Sequence, residues 1–336
     1  MLPAVAVIAA AVLFGTTGTA QALGPPGSTP LGVGAVRVVV GGVALGAVGF
    51  ALSTTTRRHS PAADLRGPRP TARALVLMGL TGVCLAAYQP LFFLGTAGNG
   101  VAVGTVVALG SAPVLAGVLE TALTRTPPRR PWLLATALCV AGVAVLAVAP
   151  TIARGMDPAG LAASLGAGAA FAVFATAQRL LLDDGWDPFT VAGAMGWAAA
   201  LAGGPLLPLS DLSWILTPRG IAMTAWLGLA TVAVAYTLFT WGLRSIRAST
   251  AATLTLTEPL TATLLGVTVL SERLSAGGIG GLAVLLAGLV LATWSAGRDA
   301  RGPRTGPRDP GAAGDGRLTR GSAPRPRTPR RPPRAR

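Results

Sequence analysis

The sequence predicts an all-α polytopic membrane protein, with ten transmembrane helices arranged as two inverted five-helix repeats. Three observations lead to this prediction: an apolar composition, apolar runs of membrane-spanning length, and a match between the two halves of the chain. Of the 336 residues, 51% are hydrophobic and only 12% are charged, whereas soluble proteins carry about 25% charged residues. The mean hydropathy is +0.61. This composition excludes an ordinary soluble protein.

A helix of about 20 mostly apolar residues can cross a bilayer, and the chain divides into ten runs of roughly this length. Polar, proline-rich or glycine-rich loops separate them. The segment Ala20-Gln21-Ala22 could be a signal-peptide cleavage site, but no Lys or Arg precedes the first run, so we expect an uncleaved helix. The predicted spans are 3–23, 31–52, 74–95, 101–123, 132–150, 159–182, 189–209, 221–242, 248–270 and 276–296.

The two halves of the chain match when the sequence is aligned with itself. Pro113 matches Pro259 at an offset of 146 residues, and residues 141–143 match residues 287–289 at the same offset. Because each half holds five predicted helices, an odd number, the second half enters the membrane from the opposite side. Secondary transporters commonly use such inverted repeats. The predicted domains are the first half at 3–150, the second half at 159–296 and a tail at 297–336.

All 27 cationic side chains are arginines, against 12 acids, which gives a net charge of +15. Twelve of them lie after Gly297, in a Pro-rich tail that we expect to be disordered. In the short loops, 11 arginines fall on one side of the predicted membrane and three on the other. The positive-inside rule then places both termini in the cytoplasm and the helices in the cytoplasmic membrane. At the cytoplasmic end of helix four, we expect Glu120 to be solvated near Arg125.

The basic tail suggests contacts with membrane lipids, because arginines next to a membrane attract anionic headgroups. An inert tail is the alternative, and we expect no specific nucleic acid partner. Cys84 and Cys139 lie in apolar runs and His59 is the only histidine. The sequence therefore predicts no disulfide framework, metal site or cofactor. An integral membrane enzyme for lipid-linked substrates is an alternative class, and its only candidate cluster is the three aspartates within 183–187.

Glu258 is the clearest candidate for a functional residue. It lies near the centre of the span 248–270, where an acid is costly unless it is paired or faces a cavity. Thr257 and Pro259 flank it, and we predict helix kinks at Pro259 and Pro113, because proline lacks a backbone donor. Glu258 could bind a cationic substrate group or exchange a proton. Alternatively, it could be a structural residue that bonds carbonyls freed at the kink.

Other polar residues within the spans are candidates for substrate binding. Arg37 on helix two could extend to the membrane interface, contact an anion, or pair with Glu258. Tyr88 and Gln89 on helix three, and Tyr236 on helix eight, are polar residues inside apolar spans. Such groups can line an amphipathic cavity for a small-molecule substrate.

The helix layout and four local features together resemble the EamA-type members of the drug/metabolite transporter superfamily. The resemblance covers residues 3–296. The first half departs from the family pattern, because Thr126-Pro127 stands where Glu-Arg is expected. The four features are the Pro113 helix, the Glu258-Pro259 helix, the Ser-Glu-Arg-Leu-Ser segment at 271–275, and the helices that contain Gly142 and Gly288.

This resemblance implies a secondary transporter that moves small metabolites by alternating access, without ATPase machinery. We expect an exporter of a small organic metabolite or drug, with proton coupling at Glu258. A membrane scaffold without transport activity is a further alternative. A homodimer is left open.

Overall fold

The computed structural model describes residues 2–59, 68–148, 157–271 and 275–299, and every regular element in these ranges is a helix. The predicted tail beyond residue 299, the end of the first half at 149–150, Arg154 and the 272–274 part of the 271–275 segment lie outside the described residues. The helices are α1 (Leu2–Gly15), α2 (Thr17–Ala22), α3 (Pro30–His59), α4 (Ala72–Thr124), α5 (Arg130–Val148), α6 (Pro158–Asp183), α7 (Pro188–Gly203), α8 (Pro218–Ala225), α9 (Ala235–Leu243), α10 (Ala248–Leu254), α11 (Thr257–Thr268) and α12 (Ala276–Asp299).

Three irregular helical segments complete the described chain. The 3-10 helices Gly204–Leu206 and Ser213–Leu216 lie between α7 and α8, and the π-helix Trp226–Val234 joins α8 to α9. As a result, Pro218–Leu243 forms one continuous membrane-spanning helix.

Eight helices of the described residues are long and apolar enough to cross a membrane, which makes the chain a multi-pass membrane protein. Two other predicted spans, 132–150 and 248–270, coincide with shorter helices: α5 is apolar over Arg130–Leu146, and α10 and α11 are separated by a break. The eight helices are Leu2–Ala22, Pro30–Thr56, Ala72–Gly100, Val103–Thr124, Pro158–Asp183, Pro188–Leu206, Pro218–Leu243 and Ala276–Ala296.

Local sequence explains where several helices begin. Pro158, Pro188 and Pro218 each occupy the first turn of a helix, where the missing backbone N–H costs nothing. The preceding residues, Asp157 and Asp187, accept backbone N–H hydrogen bonds with their side chains. Such caps satisfy donors that the first turn of a helix leaves unpaired.

The chain reverses direction inside α4, at Gly100. This residue has a φ of 81°, a left-handed conformation that favours glycine over other residues. A Cβ atom at Gly104 would lie 2.8 Å from the Cα of Thr96, so the two arms of α4 pack closely on either side of the turn. α4 therefore supplies two of the spans, as the sequence predicts with 74–95 and 101–123.

The main helix contacts join the first half of the chain to the second. α3 packs against α7, α5 against α12, and α4 against α6 and α7, while α1 packs against α9 and α11. Many of the fully buried residues are alanines, including Ala10, Ala116, Ala167 and Ala252. Small residues allow membrane helices to approach closely, so that van der Waals packing holds them together.

The contact between α5 and α12 is reciprocal. A Cβ atom at Gly142 would lie 2.5 Å from the backbone N of Leu285, and one at Gly288 would lie 2.7 Å from the backbone N of Cys139. The offset that matches Gly142 with Gly288 in the sequence, 146 residues, also matches Cys139 with Leu285. The same contact is therefore made twice, with the two halves exchanging roles.

We predict that Gly288→Val destabilises the protein, because the new side chain would overlap the backbone of Cys139. Overpacking of this kind typically costs about 1–3 kcal/mol. The measurement is the midpoint temperature of unfolding of the purified protein in detergent. Gly280→Val is the matched control, since Gly280 lies on the same helix and has nothing within 4 Å of its Cβ position. Equal midpoints for the two variants would contradict the prediction.

Candidate functional site

Arg37 on α3 forms hydrogen bonds inside the helix bundle. Its Nε donates to the Oγ1 of Thr231 over 3.1 Å, and its Nη1 donates to the Oε1 of Gln89 over 3.3 Å. The Thr231 hydroxyl itself donates to the carbonyl of Leu227 over 2.6 Å, which leaves its lone pairs for the guanidinium. One charged side chain thus links α3, α4 and the π-helix, instead of extending to the membrane interface.

A small cavity borders Arg37. Its volume is about 10 Å³, which is room for roughly one water molecule, whereas pockets that hold drug-sized ligands measure about 300–1,000 Å³. The site around Arg37 is therefore closed in this conformation. The residues that line the cavity are Arg37, Val38, Leu85, Gln89, Val232 and Tyr236.

Aromatic rings form a wall beside this cavity and connect the two halves of the chain. The ring of Tyr236 lies 4.9 Å from that of Phe14 and 5.9 Å from that of Phe174, measured between centroids. Tyr88 lies 6.3 Å from Phe171, with the rings edge to face. Tyr88 and Tyr236, predicted from the sequence as polar aromatics, thus belong to one cluster around the closed site.

Glu258 is the second residue of α11 and follows directly on the break between α10 and α11. Pro259 has no backbone N–H to donate. The backbone N–H of Glu258 donates to the carbonyl of Thr255 over 2.9 Å. Threonine hydroxyls satisfy carbonyls near the break, since Thr257 donates to Leu254 over 2.8 Å and Thr255 donates to Ala252 in the same way. The break therefore does not depend on the Glu258 side chain.

The carboxylate of Glu258 is half-buried and makes no hydrogen bond or ion pair within the described residues. Its charge interacts with that of Arg37, although no ion pair joins the two side chains. The hydroxyls of Tyr88 and Tyr236 also lack hydrogen-bond partners among the described residues, and both interact electrostatically with Glu258. Of these groups, Arg37 and Tyr236 line one cavity in the interior of the bundle.

Three predicted site residues, Thr257, Pro113 and Pro259, do not line the cavity at Arg37. The hydroxyl of Thr257 bonds to the backbone of its own helix. Pro113 leaves α4 helical around it, because Gly100 is the position with non-helical dihedral angles inside α4. A bend at Pro113 stays a prediction. Pro259 lies in the first turn of α11, just after the helix break.

Polar contacts also join the halves at one end of the bundle. The carboxylate of Glu120 accepts hydrogen bonds from the Ser249 hydroxyl over 2.7 Å and from the Ser249 N–H over 3.2 Å, and it lies 3.5 Å from the Nε of Arg247. The expectation of a solvated Glu120 near Arg125 was wrong, because the side chain of Glu120 is only 14% exposed and its partners lie at the start of α10.

The three aspartates within 183–187 have separate structural partners. Asp183 forms an ion pair with Arg179 over 2.7 Å, and Asp184 forms one with Arg73 over 2.9 Å. Asp187 caps α7. Within the described ranges, no group of three or more His, Cys, Asp or Glu side chains is placed to hold a metal ion.

Multiple apolar spans around an enclosed polar site define the class of this protein as a membrane transporter. The EamA-like transporter family model matches residues 1–148 and 158–294. The chain belongs to the EamA-like transporter family.

Two similar proteins agree with this assignment. The chain is 40% identical over 285 residues to a Bacillus subtilis (strain 168) protein described as "Uncharacterized transporter YwfM", and the match covers 85% of this chain and 91% of that protein. The fold is similar to a crystal structure with 22% sequence identity and a TM-score of 0.69, covering 88% of this chain and 98% of the other.

Thr231 and the phenylalanines of the wall were not identified from the sequence. Thr231 was visible as a hydroxyl in the middle of an apolar span, but one threonine in a span commonly bonds to its own helix. Phe14, Phe171 and Phe174 are apolar residues in apolar helices, and no sequence signal separates those that face the site from those that face lipid.

We predict that Thr231→Val destabilises the protein by about 1–3 kcal/mol, because a buried guanidinium donor loses its acceptor. The readout is again the unfolding midpoint in detergent. Thr237→Val is the matched control, since the Thr237 hydroxyl lies in the same continuous helix and bonds only to the carbonyl of Ala233. If the two variants unfold at the same temperature, the hydrogen bond to Arg37 does not stabilise the bundle.

Proposed function

We propose that the chain is a ten-helix secondary transporter with two inverted five-helix halves, and that it exports a small organic metabolite or drug across the cytoplasmic membrane. The observation that carries this proposal is the enclosed polar site lined by Arg37, Gln89 and Tyr236. We assign Tyr88 and Glu258 to the same site. Charged groups inside a membrane are costly and typically mark substrate or ion pathways.

The reciprocal contacts between the halves support the inverted repeat. α5 meets α12 through Gly142 and Gly288, each in the equivalent position of its own half. α4 packs on α6, and the equivalent helices of the other half, α9 and α11, pack on α1. In this arrangement the short helix α5 and the broken pair α10 and α11 are the two spans that complete ten. Inverted repeats allow one chain to adopt two oppositely facing states.

The contacts at the two ends of the bundle suit alternating access. Glu120 with Ser249, and Arg73 with Asp184, join the halves at one end. At the other end, the Asn99 side chain donates to the carbonyl of Asp157 over 3.0 Å and accepts from its N–H over 2.7 Å. In the proposed cycle, the contacts at one end separate so that a solute reaches the closed site from that side.

Glu258 is the proposed coupling residue. Its carboxylate lies in the interior, it is not required by the helix break, and it shares its surroundings with Arg37. A proton on this carboxyl would remove its charge and change the electrostatic balance of the site. Protonation and binding of a cationic solute group would then compete for the same acid, which is a simple basis for exchange of a proton for a solute.

We predict that Glu258→Gln inserts and folds normally but loses proton-driven transport. The measurement is solute flux in proteoliposomes, with and without an imposed pH gradient, over a panel of amino acids, cationic drugs and nucleosides. Glu258→Asp should retain gradient dependence, and Thr268→Val on the same helix should behave as wild type, because its hydroxyl is exposed and bonds only to its own helix. Unchanged flux of the Gln variant at every pH would refute coupling at Glu258.

The proposed orientation of the chain, with both termini in the cytoplasm, gives a separate prediction. In a variant with Cys84 and Cys139 replaced by Ala, a cysteine introduced by Ser213→Cys should react with a membrane-impermeant maleimide in intact cells. One introduced by Thr126→Cys should react only after the cells are opened, because the positive-inside rule places that loop in the cytoplasm. The reverse pattern would show that the termini are outside.

A further inference from the structure

An apolar groove runs along the surface between the second arm of α4 and α5. Its volume is about 800 Å³. Val118 and Leu133, on opposite walls, are 60% and 49% exposed, although both lie in apolar helices. The groove therefore opens toward the lipid and not toward the polar site at Arg37.

The groove presents no free hydroxyl to an occupant. Of the two threonines that line it, Thr121 donates its hydroxyl to the carbonyl of Gly117 over 2.7 Å. Thr136 is bonded to the hydroxyl of Thr253 over 2.9 Å, on the buried side of α5. The remaining lining is aliphatic or aromatic, and the small side chains of Ala137 and Ala141 leave room for an occupant. The indole N–H of Trp132 is buried and has no hydrogen-bond partner among the described residues. A hydrocarbon chain matches such a surface.

The mouth of the groove is strongly basic. Pro128 lines the groove, and the segment around it, from the end of α4 to the start of α5, carries Arg125, Arg129 and Arg130, all exposed. No acid occurs between residues 121 and 148. The preceding acid, Glu120, is already bonded to Ser249. An occupant that fits both parts needs an anionic head and an apolar chain.

We propose that this groove binds one anionic phospholipid, with an acyl chain against α4 and α5 and its phosphate at Arg125 and Arg130. Lys and Arg side chains near a membrane surface attract anionic headgroups. A second copy of this chain is a poorer occupant, because a two-fold contact at this face would bring Arg125 and Arg130 of one copy against the same two arginines of the other. The site is independent of the transport activity proposed above.

The test uses the full chain purified in detergent, titrated with phosphatidylglycerol or with phosphatidylcholine of identical acyl chains, with bound lipid counted by native mass spectrometry. Wild type should bind one phosphatidylglycerol about tenfold more tightly than phosphatidylcholine. The double variant Arg125→Gln and Arg130→Gln should lose that preference. Ala141→Phe should weaken binding of both lipids by filling the groove, and Ala137→Phe provides a second variant of the same kind. Thermal unfolding checks that each variant is folded.

Arg219→Gln is the matched control, because Arg219 is an exposed arginine in the first turn of α8 and does not line the groove. Its lipid binding should equal that of wild type. Equal affinity of wild type for the two lipids would overturn the proposal. So would displacement of the lipid by equimolar glycerol phosphate, which would indicate a site for free phosphate. A dimer that Ala141→Phe abolishes would instead identify the occupant as a second copy.

Discussion

A charged side chain in the membrane interior needs a partner or a cavity, and this constraint organises the centre of the molecule. Arg37 meets it through Gln89 on α4 and Thr231 on the π-helix, so that three helices converge on one guanidinium. The ring of Tyr236 lines the small cavity at this point, and the ring of Tyr88 belongs to the same aromatic cluster through Phe171 and Phe174. Glu258 stands apart, without a hydrogen-bond partner among the described residues. The guanidinium of Arg37 thus has hydrogen-bond acceptors in this conformation, whereas the carboxylate of Glu258 has no donor among the described residues.

Hydropathy was sufficient to place the eight helices that are long and apolar enough to cross a membrane, because a membrane span is defined by its own residues. The predicted spans 74–95 and 101–123 lie on the two arms of α4. The prediction of an EamA-type chain is confirmed by the family match over 1–148 and 158–294. The glycines at 142 and 288, matched in the sequence, meet the opposite half in equivalent contacts. The apolar composition of each span and the internal repeat were therefore enough to predict these features.

Side-chain partners were not predictable in the same way, since they depend on how each helix is rotated about its axis. Arg37 could have faced the interface or Glu258, and its actual acceptors lie 52 and 194 residues away along the chain. Glu120 was expected to be solvated, yet it bonds to Ser249, 129 residues further on. A single sequence, with an apolar composition on every face of its helices, contains too little contrast to fix those rotations.

The threonine hydroxyls at the break between α10 and α11 stabilise the helix ends, so that the acidic side chain of Glu258 does not have to. Thr255 and Thr257 satisfy backbone carbonyls at the break, so the side chain of Glu258 is not needed to hold the helix ends. A substitution at that position therefore changes the charge inside the bundle without removing a hydrogen bond that holds the two helix ends.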